Sequence, residues 1–296
     1  MLIRERLERC EFSNSEKVII EFIINKKLAI KDMTTKDIAN ATYTSPSTLI
    51  RIAHKMGFNG WNELKEAYLK EEEYLQSHFC DIDANYPFQN NDTIMSIASK
   101  IATLKKESID DTLSLITHDD LQKAVQIIRK ASSIQLFAVS NNLYISREFK
   151  HNMNRIRKRV DICSTQGELV YTACTCDPKS CALVISYSGE TPILKRTVLA
   201  LKAQNIPIIA ITNIGDNTVA RLSDCVLKIC TREKLYSKIA TFSTDSAITY
   251  LLDVIYSCIF ALDYDKNKER KIQTSRMIEV GRFSTLDIIK EEEEDL

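Results

Sequence analysis

Over the first eighty residues apolar positions recur three and four apart and never alternate, a helical pattern throughout. Val18, Ile19, Phe22 and Ile23 follow Ser15-Glu16-Lys17 at helical spacing, which predicts an amphipathic helix. Thr34 or Thr35 suits the cap of a short second helix that turns Ile38 and Ala39 inward. Ser45-Pro46 then offers an N-cap with proline at the first helical position, and Gly57 a C-cap. A fourth helix runs from about Gly60 through Trp61, Leu64, Tyr68 and Leu69. Two short helices across a tight turn, flanked by further helices, make a helix-turn-helix arrangement.

Between about 80 and 92 the period lapses. The stretch DIDANYPFQNND is polar, contains Pro87 and reads as a linker. A helical segment follows from Thr93 to about Leu115. From about 120 onward, short β-rich runs alternate with amphipathic segments: IQLFAV (134–139), VDICS (160–164), CALVISY (181–187), PIIAITN (207–213) and CVLKIC (225–230). Continuous apolar strands separated by helices indicate a parallel sheet buried on both sides. The expected architecture is an all-α N-terminal helix-turn-helix bundle plus an α/β C-terminal domain, whose five-stranded parallel sheet is covered by helices on both faces. The boundaries expected are 1–80 for the bundle, 81–107 for linker and connecting helix, 108–265 for the α/β domain and 266–296 for a tail.

Composition narrows the compartment and the chemistry. The first residues, MLIRERLERCE, contain no apolar stretch fit for a signal peptide, and the apolar run near Tyr250 to Leu262 is broken by Asp253 and Ser257. A cytoplasmic protein with no membrane partner is expected. Nine cysteines, an odd number without a secretion signal, argue against a disulfide framework. Cys174-x-Cys176-x4-Cys181 lacks the paired spacing of structural zinc sites, so neither a metal nor a cofactor is expected. Lysine and arginine balance aspartate and glutamate, 40 against 40, so bulk charge announces no nucleic-acid partner. Local charge is uneven. Residues 141–160 hold six cationic residues and one acidic one, whereas Glu291 to Asp295 is an acidic run expected to extend into solvent.

Two stretches carry candidate chemistry. In the helix Pro46 to Met56, Leu49, Ile52, Ala53 and Met56 share one face. That leaves Ser47, Thr48, Arg51, His54 and Lys55, with Ser45 at the helix start, for the other. Hydroxyls and Lys suit phosphates and base edges, and Arg suits guanine O6 and N7. The same residue types also suit a solvated helix face. The second stretch is Ser186-Tyr187-Ser188-Gly189-Glu190-Thr191-Pro192, at the end of an apolar strand. Gly189 permits a tight turn and close backbone approach, while Ser186, Ser188 and Thr191 offer hydroxyls at the start of a helix whose dipole favours an anion. An ordinary strand-to-helix turn uses similar residues.

The segment SEKVIIEFIINKKLAIKDMTTKDIANATYTSPSTLIRIAHKMGFNGWNELKEAYLKE resembles the N-terminal helix-turn-helix domain of RpiR-type (MurR/RpiR) transcriptional regulators. Ser45, Pro46, Thr48, Leu49 and Arg51, then Lys55 to Phe58, Gly60, Trp61 and Glu63 to Lys65, carry the likeness. Tyr43 stands where such domains usually have a turn glycine, so it must accept positive φ or shift the turn. Residues from about 110 to 265 resemble a sugar isomerase (SIS) domain, with Ser186 to Thr191 on its Ser-x-Ser-Gly-x-Thr phosphate loop. The resemblance implies that Ser186, Tyr187, Ser188, Gly189 and Thr191 grip a sugar phosphate, and that Glu233 and Ser243 flank the sugar. The first ligand loop departs from the family's Gly-x-Gly-x-Ser: Ala138 and Ser140 replace both glycines, and Asn142 takes the serine position.

The implied function is a regulator that binds a near-palindromic operator as a homodimer or homotetramer, under the control of a phosphorylated sugar effector. SIS domains also serve aldose-ketose isomerases. There Glu233 or Glu190 would be the base and His151 the acid, but no clustered acid-base pair is visible and none of these is expected to be catalytic. A third reading is a phosphosugar-sensing adaptor that uses the Arg-rich segment 155–159, which otherwise reads as a solvated helix end.

Overall fold

The structure is a computed structural model that describes residues 3–77 and 82–289. It divides into two compact units: Met1–Asp111 with Ile214–Asn217 and Thr231–Ser243, and Thr112–Asn213 with Thr218–Cys230 and Thr244–Leu296. The acidic run Glu291–Asp295 lies outside the described residues.

The first unit begins with five helices: α1 (Ile3–Arg9), α2 (Asn14–Lys26), α3 (Thr35–Ala41), α4 (Pro46–Lys55) and α5 (Trp61–Ser77), with a 3-10 turn at Lys27–Ile30. Thr34 caps α3 in both directions. Its hydroxyl accepts from the Asp37 amide at 3.2 Å, and its amide donates to Asp37 Oδ2 at 2.8 Å. At the end of α3 the Thr44 amide reaches Ala39 O at 2.8 Å and the Tyr43 amide reaches Asn40 O at 3.3 Å, a Schellman closure. Tyr43 takes the left-handed position of that closure, φ +52°, and the residue is 98% exposed. The turn is kept, and its cost falls on the backbone. Helix α4 ends in the same motif, with Phe58 N donating to Ala53 O at 2.9 Å and Gly57 at φ +83°.

Ile19, Ile20, Ile23, Ile38, Leu49, Ile52, Ala53, Met56, Trp61, Leu64 and Tyr68 form one core. The stripe on α2 is offset from the expected one: Val18 is exposed and Ile20 buried. Thr48 also departs from expectation. It lies beside Leu49 at the edge of the stripe continued by Ile52 and Ala53, so it is buried, not outward. The expected linker is partly buried too. Ala84, Asn85 and Pro87 are covered, and Asn85 is fixed by the Lys234 amide at 2.6 Å and by its own carbonyl, which accepts from Ile239 N at 2.9 Å. An irregular segment can pack as firmly as a helix without leaving any period. Helix α6 (Ile94–Leu115) follows.

In the second unit, helix α7 (His118–Lys130) precedes strand β1 (Ser133–Phe137) and helix α8 (Asn141–Arg155). Then come β2 (Arg159–Ile162), α9 (Leu169–Cys174), β3 (Cys181–Ser186), α10 (Pro192–Ala203) and β4 (Ile208–Thr212). Helix α11 (Thr218–Leu222), β5 (Cys225–Lys228), α12 (Phe242–Ala261) and α13 (Tyr264–Ile278) follow. All five strands are parallel, in the order β2-β1-β3-β4-β5. Along β3, Cys181, Leu183 and Ile185 face α7, α8 and α12, while Ala182 and Val184 face α9, α10 and α11. Helices therefore cover both faces, as expected.

Helix α12 is long and apolar enough to cross a membrane by length and composition, but Ala247, Ile248, Leu251, Leu252, Ile255 and Ile259 pack into the sheet core. Helix α13 runs across the expected start of the tail at 266. Burial pushes the Cys176 and Cys225 thiols up to about 11 and Cys181 to about 12. Burial thus disfavours their reactive thiolate forms.

Candidate functional site

The outward face of α4 is organised by a residue on another helix. Glu16 in the first turn of α2 is completely buried, and its carboxylate accepts from Arg51 Nε at 2.7 Å, Lys55 Nζ at 2.8 Å and the Ser13 amide at 2.8 Å. Burial alone would raise the Glu16 carboxyl. Lys55, the Ser13 amide and Arg51 outweigh it and hold it at about 2. Both cations keep about half of their side-chain surface exposed, 57% for Arg51 and 43% for Lys55. Because Glu16 takes the Nε edge of Arg51, the terminal edge of the guanidinium is the one turned to other partners, and that edge pairs with guanine O6 and N7. The Lys55 ammonium also lies 5.4 Å from the Phe12 ring centre.

Ser45, Ser47 and His54 are exposed. The Ser45 hydroxyl lies 2.8 Å from that of Ser47 and 3.0 Å from that of Thr48, which ties the buried Thr48 into the start of α4. Of the six residues singled out on this helix, five are accessible and Thr48 supports them from within. Sequence reasoning missed Glu16, because nothing local links it to residues 35 and 39 positions away.

In the second unit the strand order reverses direction between β1 and β3, and ligands of open parallel sheets bind outside the carboxyl ends at such a switch point. The register Phe137 to Val184 sets the loop beginning at Ala138 beside the loop beginning at Ser186. Ser186 ends β3 with its hydroxyl accepting from the Gly189 amide at 3.2 Å, and the Glu190 amide donates to Ser188 Oγ at 3.1 Å. The Ser186 and Ser188 hydroxyls lie 3.4 and 3.5 Å from Thr191 Oγ1. Gly189, at φ +64°, makes the turn that lets three hydroxyls converge. Thr191 is the N-cap of α10 and Pro192 its first residue, and the cap side chain takes none of the helix amides. Hydroxyls, amides and the positive end of a helix dipole thus meet at one place.

The loop is braced from behind. The Tyr187 carbonyl accepts from Asn213 Nδ2 at 2.7 Å. Glu190 points away from the hydroxyls, accepting from the Thr218 amide at 2.7 Å, the Thr218 hydroxyl at 2.8 Å and Lys195 Nζ at 3.0 Å. Burial would raise the Glu190 carboxyl, but the Thr218 amide, Lys195 and the Thr218 hydroxyl prevail and bring it to about 2. A carboxylate so acidic and so engaged is a poor proton acceptor.

The loop after β1 keeps a glycine-type backbone without glycine. Ser140 adopts φ +53° and ψ −133°, a region costing a side chain on the order of 1–3 kcal/mol. Asn142 is half-buried on the first turn of α8, where its carbonyl accepts from Ser146 Oγ at 2.6 Å. Its neighbour Asn141 donates to Asp245 Oδ2 at 2.7 Å. His151 lies nine residues further along α8, roughly 13 Å down the helix axis, which removes it from this loop. Glu233 and Ser243 belong to the first compact unit. There Glu233 is buried and accepts from the Ser243 amide at 2.6 Å and Lys238 Nζ at 3.0 Å, while Ser108 Oγ donates to Ser243 Oγ at 2.7 Å.

Residues 2–74 match the helix-turn-helix domain of the rpiR family, and residues 127–256 match the SIS domain. An uncharacterized HTH-type transcriptional regulator of Caldanaerobacter subterraneus is 22% identical over 273 residues, 92% of this chain and 95% of that protein. Among solved structures, the Vibrio vulnificus NanR protein complexed with ManNAc-6P aligns with a TM-score of 0.59 at 20% identity, over 95% of this chain and 100% of that one. The sugar isomerase domain of an RpiR transcription factor from Sphaerobacter thermophilus aligns with a TM-score of 0.54 at 16% identity, over 60% of this chain and 98% of that one.

Proposed function

Since the chain belongs to the RpiR-type family, an rpiR helix-turn-helix joined to a SIS domain, we propose that it is a transcriptional regulator whose operator binding is set by a phosphorylated sugar. The carrying observation is the Ser186–Thr191 loop: three converging hydroxyls and a glycine turn at the N-terminus of α10, on a chain that also holds a recognition helix. A phosphate there accepts hydrogen bonds from Ser186, Ser188, Thr191 and the helix amides, with Tyr187, Gly189 and Asn142 shaping the rest of the site.

On the DNA side, α4 enters the major groove. Arg51 reads a guanine, while Lys55, Ser45, Ser47 and His54 meet phosphates or base edges. Two protomers of a dimer or tetramer read a near-palindromic operator in the cytoplasm. The regulator is favoured over an isomerase: Glu190 is engaged by Thr218 and Lys195, and His151 stands roughly 13 Å along α8 from Asn142.

The test is a thermal-shift screen against sugar phosphates and their unphosphorylated parents. Phosphorylated amino sugars come first, because the similar Vibrio protein binds one. A true effector at 100 times its dissociation constant adds about 2.7 kcal/mol of stability. A panel in which no sugar phosphate shifts the transition more than its parent sugar would refute the reading.

A further inference from the structure

Helices α8 and α13 border an open groove of about 630 Å³ that lies apart from the loop just described. Among the described residues it is lined by Arg147, Lys150, His151, Arg155, Arg157 and Arg270, together with Asn154 and Thr274, and by no carboxylate. The spacing explains the convergence. Arg147, Lys150, His151 and Arg155 recur at three and four residues along one face of α8, Arg157 follows its end, and α13 contributes Arg270. None of these five arginines and lysines forms an ion pair among the described residues. Arg147 instead stacks 5.2 Å from the Tyr144 ring, and Arg270 donates to Asn267 Oδ1 at 3.3 Å. Elsewhere cations find carboxylates readily: Arg159 with Asp161, Lys195 with Glu190, Lys202 with Asp224. A carboxylate, Glu279, lines an adjoining pocket that shares Arg155 and Thr274. Five like charges with no ion pair among the described residues repel one another, and an anion relieves them.

We propose that the occupant is this chain's own acidic segment, Glu291 to Asp295. Its five consecutive carboxylates match the five cations in number and sign. The reach is ample. The segment starts about a dozen residues after α13 ends at Ile278, a stretch of at most roughly 40 Å that the turns at Glu279–Arg282 and Leu286–Ile289 shorten. Thr274 on the groove wall lies only about 6 Å before that end. Tethering at that length supplies an effective concentration on the order of millimolar, so several weak surface ion pairs suffice to hold the segment. Docking neutralises the groove and keeps it from other polyanions.

Zero-length carbodiimide coupling of carboxylates to amines, followed by mass spectrometry of the full-length protein, tests this. Lys150 is the one lysine among the lining residues. It should couple to Glu291–Glu294 at about 20 mM salt and lose that coupling at about 1 M, where the Debye length falls to about 3 Å. The variant with Arg147→Gln, Arg155→Gln and Arg270→Gln retains Lys150 and should lose most of the coupling at low salt. In a mixture of heavy- and light-isotope protein the coupled peptides should carry one label, which places the segment in the groove of its own chain. Absent coupling at low salt, coupling indifferent to salt or to the three substitutions, or mixed-label peptides only would each overturn the proposal. So would a Lys150 that never couples to the segment but is protected by duplex DNA of unrelated sequence. None of these outcomes depends on whether a sugar phosphate binds the Ser186–Thr191 loop.

Discussion

Arg51 and Lys55 on α4 carry full charges and are held by a buried carboxylate, whereas the hydroxyls of Ser186, Ser188 and Thr191 carry none and are held by one another and by backbone amides. Both groups suit an anion, yet they prepare for it differently. Glu16 neutralises one of the two charges it holds, so the α4 face attracts phosphate less than its residue types suggest but presents Arg51 in one orientation. The Ser186–Thr191 loop depends on shape, through Gly189 at positive φ and the brace of Glu190 on Thr218. The charged face should therefore respond to charge-removing substitutions of the same shape, and the neutral loop to loss of single hydroxyls.

The largest effects are expected at the neutral loop. Ser188→Ala or Thr191→Val each removes a hydrogen bond to a charged group, worth on the order of 1.5–3 kcal/mol, and should weaken sugar-phosphate binding roughly 10- to 150-fold in calorimetry. Operator binding without effector should stay unchanged. If either variant binds like the parent, shape is not held by hydroxyls there.

Next comes Arg51→Ala, which should cost about 1–3 kcal/mol on the operator and relax selectivity at one base pair per half-site. Lys55→Ala should instead weaken all sequences alike and reduce the salt slope by about 1. Titrations of both variants on operator and unrelated DNA at several salt concentrations distinguish the roles.

Glu16→Gln sharpens the comparison further. It keeps the side chain's shape and frees a positive charge, so unrelated DNA should bind more tightly with a salt slope steeper by about 0.9, and the ratio of specific to unspecific affinity should fall. An unchanged ratio would make Glu16 a purely structural cap.

The clamp on Glu16 also shows in acid, in stability and not in binding. Glu16 ionises at about 2 in the folded chain against an ordinary 4.5, so the stability it lends is complete above 4.5 and is lost as the pH falls from there towards 2. Denaturant unfolding should show parent and Glu16→Gln converging over that window. A constant gap between them would contradict the clamp.

Much of this was legible in the sequence. The five strands announced themselves as apolar runs bounded by helices, and the caps at Thr34, Ser45 and Gly57 marked helix ends, because both signals depend on neighbours in the chain. Tyr43 could be flagged but not resolved. Its conformation follows from the Schellman bonds of Tyr43 and Thr44 back to Asn40 and Ala39, which close the turn whatever side chain occupies it. What escaped was tertiary. Thr48 is buried because other helices cover the edge of its stripe, Ile20 replaces Val18 by a small rotation of α2, and Glu16 meets Arg51 only through folding. Helix α13 escaped for another reason: it is largely polar and carries little apolar period to detect.

The most direct test of the central claim is a linkage measurement on the full-length protein. Operator affinity is titrated with and without the best sugar phosphate from the screen, and sugar-phosphate affinity with and without operator. Coupling between the two sites predicts that each ligand changes the other's affinity by the same factor, about 5- to 150-fold, and that Ser188→Ala shifts the effector concentration required. Equal operator affinity at zero and saturating sugar phosphate would contradict it.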